Sequence, residues 1–121
     1  MRLLVPARSD SAIVSAAARS YFDELIHAGV KVWEYSAQML HSKTLVIDDH
    51  CAMIGTANLD NRSFRLNYEV TAVVYGPTLV GPLEAQFKTD LTRSAPVRSN
   101  RTRRWRHKLG EAVARLFSPL L

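Results

Sequence analysis

The chain has 121 residues, 47% of them hydrophobic, enough for one compact domain with its own core and too few for two large ones. No apolar run reaches the roughly 20 residues that cross a bilayer, and the start MRLLVPARSD lacks the pattern of a secretory signal, so a cytosolic or membrane-apposed protein is expected. The net charge of +5 is uneven: residues 1–92 carry 8 basic and 10 acidic side chains, a net of −2, whereas residues 93–121 carry 8 basic and one acidic, a net of +7. A slightly acidic body is a poor footprint for a polyphosphate backbone, which makes nucleic acid an improbable partner, and the basic tail points to an anionic surface. With Cys51 as the single cysteine, neither an internal disulfide nor a thiolate pair for zinc is available.

In chain order, Leu3–Val5 reads as a short strand ended by Pro6. The stretch SDSA from Ser9 offers N-cap candidates for a helix running to about Ala28 and stopped by Gly29. Ile13, Ala17, Phe22, Leu25 and Ile26 recur along it at helical spacing, and Val30–Tyr35 follows as a strand, completing a β-α-β unit. Lys43–Ile47 and Ala52–Gly55 flank Asp48, Asp49 and His50 as a hairpin, the first of them looking like a buried strand. Glu69–Tyr75 is a further strand, and Pro77 opens a helix to about Leu91. The order implies an α/β domain, a mixed β-sheet flanked by helices, over residues 1–92, followed by a basic linker and amphipathic helix over 93–121.

The first hairpin strand begins oddly. Alternation puts His41, Lys43, Leu45 and Ile47 on one face, so an imidazole and an ammonium project together from a strand end, where α/β domains tend to bind ligands. His41, Lys43 and Asp48 form H-x-K-x-x-x-x-D, and Gly55, Thr56 and Asn58 form G-T-x-N shortly after. Together they resemble the signature of the phospholipase D superfamily, H-x-K-x-x-x-x-D followed by G-[ST]-x-N. Thr56 stands where many relatives have serine and keeps the hydroxyl.

These residue types suit a phosphodiester. Lys43, Asn58 and Thr56 can donate to phosphoryl oxygens, and an unprotonated His41 nitrogen can attack phosphorus, dividing one displacement into two through a phosphohistidine. No metal or other cofactor is required. A nucleophilic histidine needs its other ring nitrogen held by an acceptor, and by resemblance to single-motif nucleases of the superfamily Glu69 falls where a carboxylate bonds it. Asp48 is assigned with the catalytic set in a supporting role. Asp60 and Arg62 in LDNRS form a local polar cap, and Arg62 could reach a phosphate.

The segments LLVPARSD, SYFDELIHAGVKVWEY, MLHSKTLVIDD and GTANLDNRSFRLNYEV are similar, over nearly all of residues 3–75, to the C-terminal half of bacterial cardiolipin synthases. That resemblance implies transfer of a phosphatidyl group from one phosphatidylglycerol to the glycerol hydroxyl of another, by a peripheral enzyme on the cytoplasmic face of the inner membrane. Enzymes of the superfamily use two signatures, one histidine attacking phosphorus and the other protonating the leaving alkoxide. Here His27, His50 and His107 lie in no second copy. The second motif must come from another half in cis or from a second copy in a homodimer, and a single-motif phosphodiesterase or a non-catalytic remnant are the alternatives. The tail places Trp105, Leu109, Val113, Leu116, Phe117 and Leu120 at helical spacing beside Arg103, Arg104, Arg106 and Lys108. Such a helix can lie on an anionic bilayer or pack its apolar stripe on protein.

Overall fold

The computed structural model describes residues 1–8, 12–58, 63 and 65–99. Its elements in chain order are β1 (Arg2–Pro6), α1 (Ala12–Ser20), α2 (Phe22–His27), β2 (Lys31–Tyr35), β3 (Thr44–Ile47), β4 (Cys51–Gly55), β5 (Thr71–Tyr75), α3 (Pro77–Thr92) and β6 (Ser94–Pro96). They form two compact units, Met1–Leu40 with the described residues from Ser94, and His41–Arg93. No helix of the described residues is long and apolar enough to cross a membrane.

In the first unit β2 is the central strand. It runs parallel to β1, with Leu3 opposite Val32 and Val5 opposite Glu34, and antiparallel to β6, with Trp33 opposite Pro96. A parallel pair needs a crossover, and α1 and α2 supply it, α2 packing on β2. Among the described residues of this unit, Val32, Tyr35, Ala17 and Phe22 are the buried apolar ones. Arg19 on α1 donates to Glu34 on β2 and to the carbonyl of Ala7, each at 3.1 Å, so one side chain ties the helix to the sheet.

Where one continuous helix is expected, there are two. The Ser20 hydroxyl donates to the carbonyl of Ala17 at 2.6 Å, the acceptor a regular helix would offer to the N–H of Tyr21. That N–H goes instead to Ala18, one residue nearer, which tightens the turn between α1 and α2. The expected stop at Gly29 is present: its φ is 84°, its N–H bonds Ile26 and the N–H of Val30 bonds Leu25, the paired bonds of a Schellman motif. The sequence reading also places residues 94–96 in a linker. They form an edge strand instead, and Val97 N–H continues the bonding to Val32 at 2.9 Å. A three-residue strand ending in proline, beside a basic run, carries too little periodicity to be read as a strand, yet an edge tolerates proline because one side makes no ladder.

The second unit is a three-stranded antiparallel sheet, β3-β4-β5, against which α3 packs. There are thus two sheets among the described residues where a single mixed one is expected. Val46, Ala52 and Val74 stand opposite one another on one face, Ala52 fully buried. The other face holds Leu45, Ile47, Val73 and Tyr75, between 41% and 71% exposed, so β3 is not the buried strand its composition suggests. Ordinary burial on one face alone satisfies an antiparallel sheet. Asp48 and Asp49 adopt φ of 48° and 58° in the turn, the backbone sense that twists a hairpin correctly and that aspartate tolerates.

Candidate active site

The site is built at the open end of the β3-β4 hairpin, opposite the turn. The ladder continues one pair beyond the strands, Gly55 N–H bonding the carbonyl of Lys43 at 3.1 Å, so that the segment His41–Lys43 is held against the end of β4. A groove of about 390 Å³ opens there, with His41 to Thr44 on one side and Ile54 to Thr56 with Asn58 on the other. Four of the seven expected site residues, His41, Lys43, Thr56 and Asn58, therefore line one cavity.

Lys43 Nζ lies 2.9 Å from His41 Nε2 and 2.9 Å from the carbonyl oxygen of His41. An ammonium has protons and no lone pair, so Nε2 must accept, which leaves the proton of the neutral ring on Nδ1. The nitrogen that carries the lone pair thus faces the groove's cation. The backbone carbonyl contact folds the lysine over the histidine and keeps the pair in register.

Glu69 accepts the hydroxyl proton of Thr56 at 2.5 Å and that of Ser63, and a weaker 3.4 Å bond from Asn67 Nδ2. The Thr56 bond, followed by Ser63 and with smaller help from Asn67 and the charge of Lys43, holds its carboxyl below the ordinary value of 4.5. The Thr56 hydroxyl also accepts the N–H of Val70 at 3.0 Å, and Thr56 N–H bonds the carbonyl of Val70 at the same distance. Glu69 is expected to bond His41 directly and does not: its hydrogen bonds go to hydroxyl and amide donors, and the side-chain contact of His41 is with Lys43.

Asp48 is not brought to the groove. It lies at the far end of β3, where its carbonyl oxygen and His50 Nδ1 are 2.6 Å apart, and its positive φ marks it as a turn residue. Four intervening strand residues at about 3.3 Å each separate it from Lys43. Asp60 and Arg62 lie outside the described residues, as does the amphipathic segment 101–121.

Motif reasoning gives Gly55 no role of its own and misses Ser63 and Asn67. Gly55 is forced by close approach: a Cβ there would sit 2.6 Å from the carbonyl oxygen of Val70 and 2.7 Å from Thr71 Oγ1. Its place in G-T-x-N is the available signal. Ser63 and Asn67 bear on Glu69 from positions whose spacing announces nothing, in a run of polar residues that reads as loop.

The family model for the phospholipase-D-like domain of cardiolipin synthase matches residues 1–91. The chain belongs to that family. Along its full length it is 47% identical to a cardiolipin synthase of Halalkalibacterium halodurans and 46% identical to cardiolipin synthase 2 of Bacillus anthracis, and in each case it spans 24% of the relative's length. Cardiolipin synthase 1 of Bacillus anthracis is 40% identical with the same coverage. Among solved structures, a phospholipase D family member, Nuc from Salmonella typhimurium, superposes with a TM-score of 0.68 over 81% of this chain and 64% of the other, at 19% identity. That likeness establishes the α/β phospholipase-D-like fold of this cardiolipin-synthase-type domain.

Proposed function

We propose that this domain carries half of a phosphatidyl-transfer site, moving a phosphatidyl group from one phosphatidylglycerol to the glycerol hydroxyl of a second. The observation that carries the reading is the 2.9 Å contact that turns the free lone pair of His41 toward Lys43 in a groove also lined by Asn58 and Thr56. The whole-length similarity to cardiolipin synthases supports the lipid as substrate.

A phosphodiester entering the groove displaces the histidine as partner of the Lys43 ammonium, placing a phosphoryl oxygen there and a second against the Asn58 carboxamide. His41 Nε2 then attacks phosphorus. A P–N bond forms as the P–O bond to the departing glycerol breaks, and the alkoxide takes a proton from a general acid supplied by a second motif-bearing half. In the second step the acceptor hydroxyl gives its proton back to that group, attacks phosphorus and releases His41. Electrostatic donors aimed at the phosphoryl oxygens are each worth about 10²–10³ in rate. Glu69 shapes the site through its bond to the Thr56 hydroxyl, as a negative charge in the field of Lys43.

The basic segment 93–121 is proposed to hold the enzyme on the cytoplasmic face of an anionic bilayer, where its seven net positive charges and apolar stripe suit a phosphatidylglycerol surface. A homodimeric phosphodiesterase is the second reading, favoured by the presence of a single signature in the sequence and opposed by the net charge of −2 on residues 1–92.

The test is incubation of the purified chain with labelled phosphatidylglycerol in mixed micelles, alone and together with the preceding part of a relative, and with His41→Ala as control. The expected product is cardiolipin with release of glycerol, lost in H41A. Labelled products from nucleic acid but none from lipid would transfer the reading to the phosphodiesterase.

A further inference from the structure

The chain leaves β4 along the groove and returns to enter β5. Asn58 belongs to the outgoing segment and Glu69 to the returning one, and between them Ser63 is the buried polar residue among those described, 7% exposed. Its Oγ accepts the backbone N–H of Asn58 at 3.0 Å, and its side chain hydrogen-bonds the Glu69 carboxylate. An amide N–H can only donate and an ionised carboxylate can only accept, so the direction of both bonds is fixed: Asn58 N–H to Ser63 Oγ, and Ser63 O–H to Glu69. Thr56 completes a ring, donating to the same carboxylate two residues before Asn58.

Ser63 does not line the groove, so its effect on a substrate is indirect. What it can control is position. The side chain of Asn58 is aimed by a backbone whose own N–H is anchored on Ser63, and the Glu69 carboxylate is held among the hydroxyl donors of the same ring. A chain of hydrogen bonds polarised in one direction is cooperative, so loss of its middle member loosens both ends.

We propose that Ser63 is a positioning residue that couples the Asn58 phosphate donor to the Glu69 carboxylate and so fixes the geometry of the groove. The role rests on the phosphoryl-transfer reading above for its catalytic consequence, while the linkage itself is independent of that reading. A misplacement of about 1 Å in a donor can cost about 10²-fold in rate, and a residue acting through position should lower kcat with little change in KM.

The experiment compares the wild-type chain with Ser63→Ala, Ser63→Cys and Ser63→Thr. Amide hydrogen exchange at Asn58 and the NMR titration of the Glu69 carboxyl are followed first, since neither needs turnover. In S63A the Asn58 amide is expected to exchange at least tenfold faster and the Glu69 midpoint to rise toward 4.5, with both restored in S63T, which keeps the hydroxyl. In the lipid assay S63A is expected to lose about 100-fold in kcat, and S63T only a few-fold. Should S63A fail to fold, S63C, nearly isosteric and a weak hydrogen-bonding group, is read in the same way. Wild-type values for Asn58 exchange and the Glu69 midpoint in the folded variant lacking the hydroxyl would overturn the proposal. An inactive wild type with both NMR effects present would sink the transfer reading and leave the linkage standing.

Discussion

At the scale of single residues, the central feature is that Lys43 reaches back to both the ring nitrogen and the carbonyl of its own near neighbour His41. On the proposed reading, the ammonium is thereby stored where the phosphate arrives. Lys43→Met removes the cation while keeping the stem, and kcat for lipid transfer is expected to fall at least 10²-fold, checked against a circular dichroism spectrum identical to wild type. Glu69 gives a second prediction. Its folded-state pKa is lowered, so its stabilising links are present above the unfolded value of 4.5 and are lost as pH falls through the lower folded value. Thr56→Val removes the largest cause and should raise the Glu69 midpoint more than Asn67→Ala or Lys43→Met does, as read by NMR titration. An unchanged midpoint in T56V would remove the hydroxyl from the account of that carboxylate.

His41, Lys43, Thr56 and Asn58 were legible in the sequence because their spacing is a property of one hairpin, and hairpin geometry is local. The partners of Glu69 were not, since Thr56 lies 13 residues away and Ser63 and Asn67 sit in polar loop sequence where any side chain could reach or miss it. Asp48 shows the opposite case: it belongs to the signature by spacing, yet its aspartate backbone is used by the turn.

At the scale of elements, glycine sets two of the boundaries that matter. Gly29 ends α2 with φ 84° in otherwise open space, so Gly29→Ala should cost about 1 kcal/mol through the backbone alone, seen as a lower urea midpoint. Gly55→Ala is expected to be more severe. The added Cβ meets the Val70 carbonyl at 2.6 Å, and backbone just ahead of β5 cannot step aside as a flexible side chain would. A loss of about 1–3 kcal/mol is predicted, with the Thr56–Glu69 bond weakened because Thr56 hangs from the same ladder. The strands and the final helix were readable from apolar runs, turn residues and Pro77. The break at Tyr21 was not, because it depends on a hydroxyl choosing a backbone acceptor, and β6 was hidden by its shortness and by Pro96.

At the scale of the whole molecule, the chain spans about a quarter of the length of the cardiolipin synthases it matches, and its sequence holds one copy of a signature whose chemistry uses two histidines. One face of the second sheet keeps Leu45, Ile47, Val73 and Tyr75 exposed, consistent with a domain whose apolar surface exceeds what its own elements cover. The charge division has its own test. Truncation after Val97 preserves β6 and the Val97–Val32 bond, and it removes most of the excess basic charge. The truncated chain should fold with an unchanged far-UV core signal and lose binding to phosphatidylglycerol vesicles, while the full chain binds them in a salt-dependent way. Equal vesicle binding by both would move the membrane contact onto the body.

The claim on which all scales converge is that His41 becomes bonded to phosphorus. The direct measurement is mass spectrometry of the His41 peptide after brief incubation with phosphatidylglycerol, using the chain alone and the chain mixed with the preceding part of the Halalkalibacterium halodurans relative. The account predicts a phosphatidyl adduct on His41, labile to acid and absent in H41A. A folded chain that turns over lipid in the mixture with no adduct on His41 at any quench time, and with H41A equally active, would contradict it.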